Sequence, residues 1–169
     1  MALFLITGLP GTGKTTVCNE LKARGLTAYD GDKDHLAHWY DKKTGEEAAY
    51  DGTREFIDRH HRSIAKETIE RLAHDAVGKS IFLCNDPDNE DELQGFFTHV
   101  FALTAGEAII RQRLADRTGD GYEWGKIPHE LAAVLETQEV AYRRYKQDNY
   151  TVIDATLPTN IIVDRILKR

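Results

Sequence analysis

Eight residues near the start constrain this chain more than any others. Gly8-Leu9-Pro10-Gly11-Thr12-Gly13-Lys14-Thr15 follow the spacing G-x-x-x-x-G-K-[ST]. They stand between an apolar run, Ala2 to Thr7, and a segment of helical spacing, Thr16 to Lys22, in which Val17 and Leu21 lie four apart. A strand leading through glycines into a helix presents backbone N–H groups to an anion, because glycine adopts the left-handed turns that aim them inward. The helix N-terminus adds partial positive charge. Gly8, Pro10, Gly11, Thr12, Gly13, Lys14, Thr15 and Thr16 are therefore candidate nucleotide-binding residues. Lys14 is placed to reach the β- and γ-phosphates, and Thr15 offers a hydroxyl to magnesium.

A buried strand at the start of such a unit must be paired, and the rest of the chain supplies partners. Apolar runs recur at Thr27–Tyr29, Ser80–Cys84, His99–Leu103 and Tyr150–Ile153. Helical stretches are expected near Lys33 to Tyr40, over Arg54 to Ala76, from Ala105 to Asp116, onward from Pro128 with Leu131, Val134, Leu135, Tyr142 and Tyr145 on one face, and from Pro158 to Lys168. Lys42 to Glu46 and Asp51-Gly52 read as turns, and Thr53 as a helix cap. Five strands separated by helices imply an α/β fold with a five-stranded parallel sheet covered by helices on both faces. Ligands of such sheets bind beyond the carboxyl ends of the strands.

The chain has 169 residues, 41% of them hydrophobic and 30% charged, which suits one domain with its own core. A net charge of −6 without a basic run disfavours a nucleic-acid partner. No apolar run approaches the roughly 18 residues of a membrane span, and the first one is too short for a signal-peptide core. Cys18 and Cys84 both sit in apolar segments and read as reduced, buried thiols. A cytoplasmic protein is expected; monomer and homodimer are equally open.

The charged residues beyond the strand ends carry the chemistry. Asp30-Gly31-Asp32-Lys33-Asp34-His35 follows the second strand. A phosphoryl transfer to a hydroxyl needs a carboxylate beside the attacking oxygen. Asp32 is assigned that role with Asp34 in reserve, and Asp30 or Asp32 could instead hold a magnesium-bound water. Asp30, Asp32, Asp34, His35 and Arg54 form the candidate acceptor-binding set within residues 30–62. Asn85-Asp86 follows the third strand, where Asp86 could assist magnesium or merely form a turn. Glu90-Asp91-Glu92 reads as a solvated helix start. Arg113 and Arg117 lie four apart on one helical face, ahead of a glycine-rich lid segment at about 117–128. Both are placed to stabilise charge on a moving phosphoryl group. Asp154-Ala155-Thr156-Leu157-Pro158 follows the last strand, and its backbone would edge an adenine ring through Thr156 and Pro158.

On these residues the chain resembles the small-molecule and nucleotide kinases that carry a phosphate loop, among them adenylate, shikimate and gluconate kinases. The resemblance rests on Gly8 to Thr15, Asp30-Gly31-Asp32, Arg113-Leu114-Ala115-Asp116-Arg117 and Asp154-Ala155-Thr156 with Pro158. It implies a sheet ordered 2-3-1-4-5, ATP as donor, magnesium, a lid, and a small-molecule phosphate acceptor. Two features depart from it. Cys84-Asn85-Asp86-Pro87 stands where shikimate kinases have three glycines, and the arginine that holds an acceptor phosphate in nucleoside monophosphate kinases is missing. Nucleoside-like and shikimate- or gluconate-like acceptors both stay open. A polynucleotide 5′-hydroxyl kinase and a slow ATPase acting as a regulator are the alternatives.

Overall fold

The computed structural model describes residues 2–118 and 124–168. Five strands form one parallel sheet: β1 (Ala2–Thr7), β2 (Thr27–Asp30), β6 (Ser80–Cys84), β7 (His99–Thr104) and β8 (Thr151–Asp154). Their order is β2-β6-β1-β7-β8, which is 2-3-1-4-5 when the five are counted along the chain. Successive side chains of β1 enter opposite cores, as a strand covered on both faces requires. Leu3 and Leu5 pack with Ile69, Leu72, Ile81 and Leu83 on one face. Ile6 packs with Val17, Leu21, Phe101 and Ile162 on the other.

The helices that cover the sheet are α1 (Lys14–Ala23), α2 (Arg54–Arg59), α3 (Lys66–Asp75), α4 (Glu90–Leu93), α5 (Glu107–Ala115), α6 (Pro128–Glu136), α7 (Gln138–Gln147) and α8 (Thr159–Leu167). A 3₁₀ turn, Gln94–Phe96, follows α4. Pro128 occupies the first turn of α6, as expected. Among the described residues no helix is long and apolar enough to cross a membrane.

Three expected helices take another form. Lys33 to Tyr40 is not helical. Asp30 Oδ1 accepts the amides of Asp32 and Lys33, and the amides of Leu36 and Ala37 both return to the Gly31 carbonyl. These bonds close a turn that releases the chain into a strand, β3 (Ala37–Asp41). The expected helix over Arg54 to Ala76 is cut in the middle by β5 (His60–Ile64), where His60 has extended backbone. The helix begun at Pro128 divides at Thr137 into α6 and α7. With β4 (Glu47–Ala48), β3 and β5 make a second, antiparallel sheet of order β4-β3-β5, in which Trp39 faces Arg62 and Asp41 faces His60.

The turn after β6 ties this small sheet to the large one. Asp88 donates its amide to the Arg62 carbonyl at 2.8 Å and accepts the Arg62 amide at 2.6 Å. Asn89 repeats the pattern on Ile64, giving and receiving at 3.0 and 3.2 Å. Side chains of turn-forming type thus stand in for a neighbouring strand. Lys42 to Glu46 turns as expected, and Thr53 caps α2 by accepting the Phe56 amide at 3.1 Å.

Candidate active site

Parallel register aligns the strand ends. Asp30 pairs with Cys84, Ile6 with the same Cys84, Thr7 with Ala102, and Thr104 with Asp154. Everything that follows those residues opens on one edge of the sheet. A cavity of about 1360 Å³ occupies that edge, running from the glycine loop to the small antiparallel sheet.

At one end lies the loop. Gly8, Gly11 and Gly13 have φ of 142°, 87° and 96°, in the region L side chains avoid. A Cβ on Gly8 would stand 2.5 Å from the Leu103 carbonyl oxygen. Gly8 itself does not line the cavity; residues 9–17 do, Pro10, Gly11, Thr12, Gly13, Lys14, Thr15 and Thr16 among them. No side chain caps the N-terminus of α1, so its first-turn amides remain for a ligand. The Lys14 ammonium folds back onto the Gly8 carbonyl. Arg113 crosses beneath this loop from α5. It donates to the Ala155 carbonyl at 2.8 Å and lies 3.4 and 3.5 Å from the carbonyls of Gly11 and Thr12. It thereby joins the loop to the turn after β8.

That turn differs from expectation. Thr156 folds onto Asp154 Oδ1 through both its amide, at 2.8 Å, and its hydroxyl, at 2.7 Å. Pro158 occupies the N-cap position of α8. Neither lines the cavity, whereas Ala155, Leu157 and Thr159 do. The tight Asx turn directs the neighbours, not Thr156, toward the site.

Beneath the loop, Thr7 Oγ1 lies 3.0 Å from Asp86 Oδ1 and 2.8 Å from Glu90 Oε2. Asp86 lines the same cavity as Lys14 and Thr15. Glu90 was expected in solvent but is fully buried, in contact with Arg144 at 3.5 Å. Burial pushes its carboxyl above the usual value of 4.5, against the pull of Tyr150 and Arg144.

At the far end, Arg62 binds Asp32 Oδ1 through Nε at 2.9 Å and Nη2 at 2.8 Å, with its guanidinium 5.8 Å from the Trp39 ring centre. Asp30 and Asp32 both line the cavity. Asp34 and His35 do not. Asp34 accepts the Asp30 amide and pairs with Lys22 at 3.2 Å, and the left-handed backbone at His35 (φ 55°) turns the chain away. Arg54 reaches the cavity rim, but its guanidinium is divided between Asp58 and Glu136, each at 2.9 Å. It joins α2 to α6 rather than standing ready for an anion.

The segment expected to form a lid is described only at its two ends, since residues 119–123 lie outside the described residues. Arg117 donates to the Trp124 carbonyl at 2.8 Å, and Lys126 reaches the Arg117 carbonyl. Glu130, fully buried, accepts the Gly125 amide at 2.8 Å and the Tyr50 hydroxyl at 2.9 Å. Trp39 and Trp124, the two tryptophans of the chain, stand 5.4 Å apart against Tyr50. Trp39, Tyr50 and Arg62 fall within the expected acceptor segment 30–62 and Trp124 within the expected lid segment 117–128, but sequence reasoning singled out none of them as cavity residues.

A family described as an AAA domain matches residues 5–130. A putative adenylate kinase from Thermoplasma acidophilum is 33% identical over 131 residues, 78% of this chain and 71% of the relative. The chain belongs to this AAA-domain family and to the P-loop kinases. Among solved structures, this P-loop kinase superposes on a shikimate kinase from Acinetobacter baumannii in complex with shikimate. The TM-score is 0.61 at 15% identity, covering 99% of this chain and 92% of that one. A gluconokinase from Sinorhizobium meliloti gives 0.54 at 18% identity, covering 95% and 86%. At those identities the likeness is one of fold, and the five-stranded order is the part that agrees with expectation.

The chain's own residues suit a nucleoside triphosphate with magnesium. The uncapped first turn of α1 and the glycine nest offer N–H groups. Among the described residues no group of three or more His, Cys, Asp or Glu is arranged to hold a metal ion. Thr15 offers a hydroxyl, and Asp86 and Asp32 offer carboxylates, on the wall of the same cavity; these are the oxygen donors that magnesium takes.

Proposed function

We propose that the protein is a phosphotransferase that moves the γ-phosphate of ATP, with magnesium, to a hydroxyl or phosphate of a small metabolite. One observation carries the reading: the glycine loop with Lys14 and the Asp32–Arg62 pair are walls of the same cavity. When bound, ATP with magnesium supplies the phosphoryl group and neutralises charge on its oxygens. The first-turn amides of α1 and Lys14 would hold the phosphates. Thr15 would hold the metal through its hydroxyl, with Asp86, anchored by Thr7, or Asp32 supplying a carboxylate. Arg113 keeps the loop and the turn after β8 together. Asp32, oriented by Arg62, faces the acceptor and takes its proton. Arg117 fastens the root of the lid at about 117–128, and residues 30–62 form the acceptor side. The same reading places the protein with ATP in the cytoplasm, where buried Cys18 and Cys84 stay reduced.

The test is a transfer screen with labelled ATP across nucleosides, nucleotides, sugar acids, shikimate and 5′-hydroxyl oligonucleotides. A labelled product that requires one acceptor class and disappears in Lys14→Ala and Asp32→Ala supports the proposal. Hydrolysis that no acceptor accelerates would instead favour a slow ATPase.

A further inference from the structure

Two oxygens at the floor of the cavity are buried and accept from nothing. Asp30 ends β2, and Asn85 directly follows the end of the neighbouring β6, because Asp30 is in register with Cys84. Asp30 Oδ1 accepts the Asp32 and Lys33 amides, each at 3.1 Å, and its Oδ2 has no partner. Asn85 Nδ2 lies 3.4 Å from Asp32 Oδ1, which orients the amide and leaves Asn85 Oδ1 as the second unpartnered atom. The two residues are 4% and 3% exposed, and both line the cavity.

Gly31 makes this arrangement possible. A Cβ there would come within 2.5 Å of the Asn85 side chain, so only glycine lets the amide lie against the turn. Asp32 adds a third acceptor to the same corner. Buried polar atoms are nearly always paired, and an unpaired one in a weakly polarisable interior is costly. A corner lined by acceptors attracts O–H or N–H groups and repels the acceptor-only oxygens of a phosphate.

We propose that Asp30 Oδ2 and Asn85 Oδ1 form a subsite for hydrogen-bond donors of the phosphate acceptor, so that its reacting end is a hydroxyl flanked by a second donor, not a phosphate. This deepens the phosphotransferase reading and rests on it. In the transfer, the acceptor oxygen bonds to the γ-phosphorus while the bond from that phosphorus to the β–γ bridging oxygen breaks. ADP departs with that electron pair, and the hydroxyl proton passes to Asp32. The neighbouring donor of the acceptor meanwhile fills Asp30 Oδ2 and Asn85 Oδ1. Water carried on magnesium would bring the same O–H chemistry, and the experiment separates the two sources.

The full chain is loaded with magnesium and a non-hydrolysable ATP analogue. Gluconate, shikimate, adenosine and AMP are then titrated by calorimetry into the wild type, Asn85→Leu, Asp30→Asn and Gly31→Ala. Asp30→Asn keeps Oδ1 for its turn while allowing an N–H donor where Oδ2 stood. Gly31→Ala displaces Asn85 without changing any polar group. Circular dichroism selects the folded variants. The expected result is that at least one hydroxyl compound binds more tightly than AMP. Its affinity should fall about tenfold or more in each folded variant, with affinity for the magnesium-bound analogue changed less than about twofold. Three results overturn the proposal: AMP binds best, no hydroxyl compound binds, or the loss falls on the magnesium-bound analogue. The last would assign both oxygens to metal-bound water. Failure of the underlying phosphotransferase reading has a different signature. The binding pattern would stand while no bound compound accelerates ADP release from ATP.

Discussion

Glu130 ties together two segments far apart in the chain. It lies fully buried in α6, and its two carboxylate oxygens accept the Gly125 amide and the hydroxyl of Tyr50, which lines the cavity. Glu130→Ala removes both acceptors and leaves a void. Hydrogen bonds to a charged group contribute about 1.5–3 kcal/mol each. Two of them give a loss of about 3 kcal/mol at the lower end, where the Tyr50 hydroxyl rotates toward His129 Nε2, 3.4 Å away. For a chain of this size each kcal/mol lowers the melting temperature by about 2–4 °C, so a drop of about 6–12 °C is expected. Glu130→Gln should behave differently. Its oxygen still accepts the Gly125 amide, while its N–H₂ donates to the Tyr50 oxygen, since a phenol both donates and accepts. That variant should lose only about 1 kcal/mol. Differential scanning calorimetry reads both. The reasoning is refuted if Glu130→Ala melts within about 2 °C of the wild type, or if Glu130→Gln is as damaged as the alanine variant.

Other outcomes follow from single contacts. Gly8→Ala should lose nucleotide binding and destabilise by about 1–3 kcal/mol, because its Cβ would press on the immobile Leu103 carbonyl; chemical denaturation and nucleotide titration of the same sample measure both. Glu90 titrates higher in the folded state than its usual 4.5, so folding favours the protonated form. Wild-type stability should then decline as pH rises from about 4 through the folded value, and Glu90→Gln should flatten that part of the curve in urea titrations. An unchanged slope in Glu90→Gln would place the pH dependence elsewhere.

The large sheet was legible because each of its strands is a short apolar run and every intervening stretch is long enough to cross over. β1 is the clearest case, with Leu3 and Leu5 serving one core and Ile6 the other. The antiparallel sheet was not legible, and the reason is its position beside the site. In β5, His60, His61 and Arg62 line the cavity instead of a core, so the strand lacks the apolar alternation that would have announced it. The spacing of Ile57, Ile64 and Ile69 then imitated one long helix. Trp39 in β3 escaped notice for the same reason: its ring belongs to the cavity wall. The carboxylates beyond β2 were legible as a group, but which of them face the cavity depended on a turn closed by Asp30 itself. That turn brings Asp32 in and sends Asp34 to Lys22. The burial of Glu90 was hidden because its acidic neighbours, Asp91 and Glu92, are exposed.

The account stands on a triphosphate occupying the glycine loop. Isothermal calorimetry of ATP with magnesium, on the wild type and on Lys14→Ala, tests it most directly. One saturable site in the wild type, weakened about tenfold or more by loss of the Lys14 ammonium, is the expected result. Absence of binding in the wild type, or equal affinity in the two proteins, would contradict it.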